Sequence, residues 1–206
     1  MAAIQKTQII GIAGGSGSGK TVLADYLHRG LKGRALLISH DWYYRDGSHL
    51  SPAARLKINV DHPGALETSL LVSHLKKLKA GSSVDAPRYD YATQSRLPAK
   101  VTMSHAEIIL LEGLFILHEE RLRRLLDFSV FVDVPADLRL VRRIRRDTEK
   151  RGIPLEETLH RYERFVRPMH ERYVQPSARH ASRQWTPFTD PDFPKKFLKE
   201  LKGLLT

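Results

Sequence analysis

An eight-residue stretch near the start of the chain has the residue types needed to hold phosphate groups. Its sequence matches the phosphate-loop pattern G-x-x-x-x-G-K-[ST] and reads Gly14-Gly15-Ser16-Gly17-Ser18-Gly19-Lys20-Thr21. Glycines let the backbone curl so that its N–H groups point inward, toward phosphate oxygens. Lys20 can reach the β- and γ-phosphates, and the Thr21 hydroxyl can join the ligands of a Mg²⁺ ion. We therefore predict that the protein binds a nucleoside triphosphate.

The segments on either side supply the context that a phosphate loop requires. Residues 9–13 have the apolar pattern of a buried strand, and residues 20–31 have the pattern of a helix. A flexible Gly/Ser linker is the alternative, but linkers do not stand between an apolar strand and a helix. The order of strand, loop and helix N-terminus favours the phosphate-binding interpretation.

Two carboxylates follow apolar segments at positions where they can meet this loop. Asp41 comes just after a predicted strand at 35–39, and it can accept a proton from a hydroxyl nucleophile or hold a metal ion. A turn or helix-cap role is the alternative for Asp41. Glu112 follows the apolar residues 108–111 of a predicted strand, where an acidic residue can face Mg²⁺, and a surface turn is its alternative. Asp61 precedes His62-Pro63 and is predicted, from local sequence alone, to cap a rigid turn.

An arginine-rich segment is the main basic feature of the chain. Arg139, Arg142, Arg143 and Arg146 share one face of a helix predicted over 136–150. Their guanidinium groups match phosphate oxygens and can clamp a phosphate during its transfer. A solvated helix flank and a nucleic-acid groove binder are the two alternatives.

Strand and helix patterns alternate along the chain, which predicts a parallel sheet with helices on both faces. A segment with two prolines and a polar middle, at 84–104, is predicted to form an antiparallel hairpin. Ligands collect at the carboxyl ends of the strands in such a sheet. The remaining predicted elements are strands at 107–111 and 128–134, helices at 51–58 and 67–80, and a C-terminal helix with Phe197, Leu198, Leu201 and Leu204 facing inward.

Composition narrows the class of protein. The 206 residues are 41% hydrophobic, which suits one compact domain over 1–206 with a sizeable core. The absence of cysteine excludes disulfides and thiolate sites. The sequence has neither a secretory signal nor an apolar run near the roughly 20 residues that span a bilayer, so we expect a cytoplasmic protein without a membrane partner. The net charge of +11 calls for an anionic partner or substrate.

A set of motifs follows in order along the chain. They are G-I-A-G-G-S-G-S-G-K-T, Ser39-His40-Asp41-Trp42-Tyr43-Tyr44, Val60-Asp61-His62-Pro63, Arg88-Tyr89-Asp90-Tyr91, Leu111-Glu112-Gly113, the stretch 133–147, and Val166-Arg167-Pro168-Met169-His170. From about residue 9 to residue 181, this ordered set resembles the uridine kinase (uridine–cytidine kinase) family, which is related to phosphoribulokinase. The resemblance implies a P-loop NTPase fold of three α/β/α layers, with a five-stranded parallel sheet, the hairpin insertion at about 84–104, a helical lid at about 143–160, and assembly as a tetramer.

The resemblance also implies a role for each matching residue. Asp41 matches the general base, and Asp61 matches the carboxylate that holds the ribose hydroxyls. Thr21 and Glu112, with Asp41, match the magnesium site, and Lys20 matches the lysine on the phosphates. Tyr44 and Tyr89 match aromatic residues of the nucleoside pocket, while Arg143, Arg146 and Arg151 match arginines of the pocket and lid.

The chain departs from the family pattern at several positions, including a more polar segment at 181–185, and three of the departures bear on the acceptor. Gln94 stands where the family has a base-reading histidine. Ile153 takes the place of the second arginine in a lid motif that usually reads Arg-Gly-Arg, and Arg161 takes the place of a glutamine that helps to hold the nucleoside. A glutamine still offers one donor and one acceptor to a pyrimidine edge. We count Gln94 and Arg161 among the substrate-binding residues because of the positions they occupy, together with Arg143, which matches an arginine of the pocket and lid.

The combined prediction is an enzyme that uses ATP or GTP with Mg²⁺ to phosphorylate the 5′-hydroxyl of uridine or cytidine. The departures motivate a second candidate, a kinase of the same fold that acts on another riboside, a sugar phosphate or pantothenate. A regulatory nucleotide switch is a third, but the chain has no Asn-Lys-x-Asp base-reading motif. Since the basic residues follow the lid pattern, a nucleic-acid partner is not expected.

Overall fold

The computed structural model describes residues 7–51, 54–55, 58–91 and 93–205. Five of its strands form one parallel sheet in the order β2-β5-β1-β6-β7. The sheet strands are β1 Gln8–Gly14, β2 Ala35–Ser39, β5 Ile108–Gly113, β6 Phe128–Val132 and β7 Arg183–Trp185. The other two, β3 Val84–Asp90 and β4 Ser95–Met103, form an antiparallel hairpin. The α-helices are α1 Lys20–Gly30, α2 Thr68–Lys79, α3 Glu120–Arg123, α4 Ala136–Arg145, α5 Leu155–Arg161, α6 Arg167–Met169 and α7 Phe193–Gly203.

The central strands are apolar throughout because both of their faces are covered. All six residues of β5 are buried, as expected for a strand between two layers of helices. Successive side chains of β1 enter two different hydrophobic cores. Ile10 packs with α1 and α7, while Ile9 packs with α2 on the opposite face. This arrangement confirms the predicted three-layer α/β/α fold.

The C-terminal helix packs by three of its four predicted apolar residues. Phe197 and Leu201 are buried, and Leu198 packs partly against the same core. The prediction for Leu204 is wrong, since its side chain is 45% exposed. Leu204 follows the last helical residue, Gly203, so the helical phase that would turn it inward has already ended.

The arginine-rich helix is also shorter than predicted. Regular α4 ends at Arg145, and a π-helical turn, Arg146–Lys150, continues it. Further π-helical turns at Tyr162–Val166 and His170–Val174 flank α6, and 3₁₀ turns form at His40–Tyr43, Pro63–Ala65 and Gln175–His180. The helix predicted at 51–58 falls in part outside the described residues. That residues 1–206 form a single domain stays a prediction.

Below neutral pH, we expect a buried histidine at the sheet edge to destabilise the fold. His40 is fully buried, and its Nε2 atom lies 3.1 Å from the Thr68 hydroxyl. Burial lowers the pKa of His40 to about 4, against a smaller opposing effect of Asp41. In the unfolded chain His40 therefore binds a proton near pH 6.5, whereas in the folded chain it binds one only near pH 4. This contribution to stability is complete above pH 6.5 and is lost as the pH falls toward 4.

The matched variant for this prediction is His40→Gln, whose amide can still reach Thr68 but does not titrate. Urea unfolding at several pH values gives the free energy of unfolding of both proteins. The wild type should lose about 3 kcal/mol relative to the variant between pH 7 and pH 4, at about 1.4 kcal/mol per pKa unit. Comparing the two proteins cancels the effect of other histidines. Parallel stability curves for the two proteins would contradict the prediction.

Candidate functional site

The sheet brings residues from distant parts of the sequence to one edge. β1 runs into the phosphate loop, β2 ends just before Asp41, and β5 ends with Glu112 and Gly113. Because these strands are parallel neighbours, their carboxyl ends meet, and the residues that follow them face a common space. The phosphate loop, Asp41 and Glu112 therefore lie close together, as the sequence predicted.

The phosphate loop depends on glycine at two close approaches. Gly17 has φ +81°, and a side chain there would collide with the backbone carbonyl of Arg139. Gly14 has φ +151°, and a Cβ atom would lie 2.7 Å from the Val132 carbonyl oxygen. Both positions favour glycine by conformation and by space. The loop ends at the N-terminus of α1, whose first N–H groups have no partners within the helix and can bind an anion.

Glu112 is a buried carboxylate at the floor of the site. It is 5% exposed, accepts a hydrogen bond from the Ser39 hydroxyl at 2.6 Å, and accepts another from Thr21 at 3.4 Å. The Lys20 Nζ atom lies 3.9 Å from its Oε2 atom. Burial raises the pKa of Glu112, nearby Asp41 raises it further, and Lys20 opposes both effects. A cation next to this group would therefore be stabilised electrostatically.

Asp41 has one bonded and one unbonded carboxylate oxygen. The Tyr91 hydroxyl donates to its Oδ2 atom at 3.1 Å. Its Oδ1 atom is buried and has no hydrogen-bond partner among the described residues. Burial and the neighbouring carboxylates raise the pKa of Tyr91, which keeps this hydroxyl protonated as a donor. An unbonded carboxylate oxygen is suited to accept a proton or hydrogen bond from a ligand.

Asp61 and two tyrosines form the opposite wall. Asp61 is 7% exposed; burial raises its pKa, and the charges of Arg143 and Arg161 oppose this. The rings of Tyr44 and Tyr89 are 5.0 Å apart at their centroids, beside Asp61 in the same cavity. Local sequence favours a turn-capping role for Asp61; in the structure its side chain lines the cavity, where the charges of Arg143 and Arg161 act on it.

Gln94 reaches this wall from the tip of the hairpin. Its backbone adopts φ +50°, which is uncommon for a residue with a side chain. Its Oε1 atom is buried and unbonded within the part of the chain that the structure describes. A buried amide oxygen without a partner is costly, so this atom is a candidate contact for a ligand.

Arginines close the remaining side. Arg143 donates to the Ser16 hydroxyl at 3.0 Å and so joins the lid segment to the phosphate loop. The Arg151 guanidinium stacks on the Tyr91 ring at 4.7 Å, and Arg161 pairs with Glu157 at 3.8 Å. Of the other predicted face members, Arg139 and Arg142 bond to backbone carbonyls instead. Arg139 donates to Val134, and Arg142 donates to Gly17 and Ser18.

Most of the predicted side chains line one cavity of about 420 Å³. They are Ser16, Lys20, Asp41, Tyr44, Asp61, Tyr89, Gln94, Arg143, Arg146, Arg151 and Arg161. The remaining predicted residues, the loop glycines, Ser18, Thr21 and Glu112, lie outside this lining, with Thr21 and Glu112 bonded to each other beneath Lys20. Sequence reasoning missed Asp147, a 1% exposed carboxylate among the arginines. Its spacing of four residues from both Arg143 and Arg151 was the available signal.

Comparisons with known proteins agree with this geometry. The family model described as "Phosphoribulokinase / Uridine kinase family" matches residues 9–184. The chain belongs to this family. A protein named uridine kinase from Staphylococcus epidermidis is 42% identical over 179 residues, which cover 86% of this chain and 86% of that protein. A uridine kinase from Macrococcus caseolyticus is 43% identical over 86% of this chain and 87% of its own length.

The fold comparison agrees with the family. Phosphoribulokinase from Rhodobacter spheroides superposes with a TM-score of 0.64 at 16% identity, covering 88% of this chain and 70% of that one. At this identity the likeness concerns the fold alone, and it confirms the predicted P-loop kinase architecture. Among the described residues, no helix has the length and apolar character needed to cross a bilayer.

Proposed function

We propose that this protein is a kinase that transfers the γ-phosphate of ATP or GTP to the 5′-hydroxyl of uridine or cytidine. The observation that carries the proposal is the unbonded Oδ1 atom of Asp41, in the same cavity as Lys20 and Asp61. A phosphate-binding lysine, a free base and a second carboxylate then face one another across a space of about 420 Å³. The relatives named uridine kinase support this choice of acceptor.

In this proposal each side chain has a defined task. Asp61 accepts hydrogen bonds from the ribose hydroxyls, and the tyrosine pair contacts the base. Asp41 accepts the proton of the 5′-hydroxyl as that oxygen attacks the γ-phosphorus and the bond to the β-phosphate oxygen breaks. Lys20 and Arg146 neutralise the charge on the phosphate oxygens, with Arg151 at the lid. The N–H groups of residues 14–21 hold the phosphates of the donor.

The residues at the floor of the site fit a magnesium ion. Mg²⁺ bound with a nucleotide takes oxygen ligands, usually one or two carboxylates completed by phosphate oxygens and water. The Thr21 hydroxyl and the Glu112 carboxylate lie 3.4 Å apart, and the unbonded Asp41 oxygen is a further candidate ligand for the ion. Within the described residues, no group of three or more His, Cys, Asp or Glu side chains forms a metal site by itself. When bound, the ion would offset the charge of the triphosphate.

A second candidate function rests on the acceptor side of the cavity. Gln94 and Arg161 replace residues that the family resemblance assigns to nucleoside recognition, and Arg161 adds a positive charge near Asp61. A kinase of another small alcohol, such as a different riboside, a sugar phosphate or pantothenate, would use the same donor residues. The cytoplasmic location and the tetramer stay predictions, and the main proposal adds a role in pyrimidine salvage.

A panel of acceptors separates the two candidates. Release of ADP from ATP, or of GDP from GTP, is measured with uridine, cytidine, adenosine, ribulose 5-phosphate and pantothenate. We expect uridine and cytidine to give kcat/KM at least about 10²-fold above the others, since a mispaired buried polar group costs this much or more. Turnover of another acceptor without response to either pyrimidine nucleoside would replace the main proposal with the second one.

A further inference from the structure

Asp147 is a buried carboxylate that contacts three arginines of the lid. Its side chain is 2% exposed. The Oδ1 atom accepts hydrogen bonds from Arg146 Nε at 2.9 Å and from Arg151 Nη1 at 3.3 Å, and the Oδ2 atom lies 3.2 Å from Arg143 Nε. One carboxylate therefore holds three guanidinium groups that come from positions 143 to 151.

The backbone around Asp147 is built to make this convergence possible. The regular helix changes at Arg146 into a π-helical turn, which shifts the angular position of the residues that follow. Gly152 then reverses the chain at φ +65°, and the Ile153 N–H donates to the Asp147 carbonyl at 2.9 Å. The side chain and the backbone of Asp147 thus both tie the two ends of the segment together.

The arginines need a counter-charge because the cavity is strongly basic. Its lining has six basic and four acidic side chains, and Asp147 is the acid in contact with the lid arginines. Burial and the charge of Arg146 both lower the pKa of Arg151, so these guanidinium groups repel one another at short range. Without the Asp147 carboxylate, the arginines would separate toward solvent before any phosphate bound.

The same arginines lead from Asp147 to both halves of the site. Arg143 also donates to Ser16 in the phosphate loop. Arg151 also stacks on Tyr91, whose hydroxyl donates to Asp41. One residue, Arg143, therefore connects Asp147 to the phosphate loop, and two residues, Arg151 and Tyr91, connect it to the proposed base.

We propose that Asp147 is a positioning residue for phosphoryl transfer, which holds Arg143, Arg146 and Arg151 in one fixed cluster at the rim of the cavity. The inference rests on the proposed function for the reaction itself. A misplacement of about 1 Å in a catalytic group costs about 10²-fold in rate. An ordered arginine cluster also binds phosphates at a smaller entropic cost than three mobile side chains.

The test compares Asp147→Asn with Glu149→Gln. Glu149 is exposed on the same π-helical turn, so its variant removes an equal charge from the same place. For Asp147→Asn we expect kcat to fall about 10²-fold, with the acceptor KM within threefold of the wild type. Affinity for a non-hydrolysable ATP analogue, measured by calorimetry, should fall about tenfold. Glu149→Gln should match the wild type in all three measurements.

The outcomes separate the inference from the proposed function. A wild-type kcat in Asp147→Asn, or an unchanged or tighter affinity for the analogue, would overturn the positioning role. If the wild type phosphorylates nothing in the acceptor panel, the proposed function fails, and binding of the analogue still decides the role of Asp147. If Asp147→Asn does not fold, Asp147→Glu keeps the charge but displaces it by one methylene. That variant should lose at least tenfold in kcat, and full activity would overturn the inference.

Discussion

Replacing Asp41 with asparagine is expected to lower kcat by about 10³-fold, within the 10²- to 10⁴-fold range typical of a lost general base. The substitution keeps the shape of the side chain, and an amide oxygen can still accept the Tyr91 hydroxyl bond seen at 3.1 Å. It replaces the carboxylate, whose Oδ1 atom has no partner among the described residues, with a neutral amide. The attacking hydroxyl then has no base within reach, while the phosphate loop is untouched. Steady-state assays with uridine and ATP measure the effect.

Two comparisons make this result specific. Calorimetry with a non-hydrolysable ATP analogue should give the same affinity in Asp41→Asn and the wild type, within about threefold. Tyr91→Phe removes the hydroxyl that bonds the other Asp41 oxygen but keeps the Asp41 carboxylate, and its kcat should fall less than about tenfold, as expected for one lost hydrogen bond. Turnover of Asp41→Asn at a tenth of the wild-type rate or more would exclude Asp41 as the base.

The donor half of the site was predictable because its signals are local. Lys20 belongs to a motif of eight consecutive residues, and Glu112 ends an uninterrupted apolar strand. In an α/β sheet, a strand pattern fixes where the following residue lies, so Asp41 and Glu112 could be placed at one edge before any contact was known. The two-sided burial of β5, seen in all six residues, is the same signal in the structure. The resemblance then supplied the proposed role of Asp61, which local sequence alone interpreted as a turn cap.

The structure of the predicted lid segment, at about 143–160, was harder to predict because it departs from regular helical periodicity. Arg139 and Arg143 both lie in the regular part of α4 and beside the phosphate loop, yet their hydrogen-bond partners differ. Arg139 bonds the Val134 carbonyl, while Arg143 bonds Ser16. The π-helical turn Arg146–Lys150 then interrupts the helical periodicity, and such turns are too rare for a periodic pattern to predict one. A charged residue in an arginine-rich stretch also resembles an exposed partner, which is why burial of Asp147 was missed.

Replacing Lys20 with methionine is the other change expected to have a large effect on kcat. Its ammonium group acts on two groups, the transferring phosphate and the Glu112 carboxylate. In the proposed reaction Lys20 contacts the transferring phosphate, and loss of one such preorganised contact costs about 10²- to 10³-fold in kcat. In the structure its Nζ atom lies 3.9 Å from Glu112 and opposes the burial that raises the pKa of this carboxylate. Without Lys20, the pKa of Glu112 rises further, so the carboxylate ionises only at higher pH.

The two effects of Lys20 separate in a pH profile. We expect kcat/KM of Lys20→Met to fall about 10²- to 10³-fold at pH 7.5, and to rise with pH over a range where the wild-type profile is already flat. The direction follows from the sign of the shift, because a carboxylate with a raised pKa needs a higher pH to become the anion that can hold a metal ion. Lys32→Ala, which removes an exposed lysine just beyond the other end of α1, controls for net charge and should retain wild-type kinetics. If the pH profile of Lys20→Met has the same acidic limb as that of the wild type, the proposed effect of Lys20 on Glu112 is wrong. If Lys20→Met keeps a tenth or more of the wild-type kcat/KM, the proposed contact of Lys20 with the phosphate is wrong.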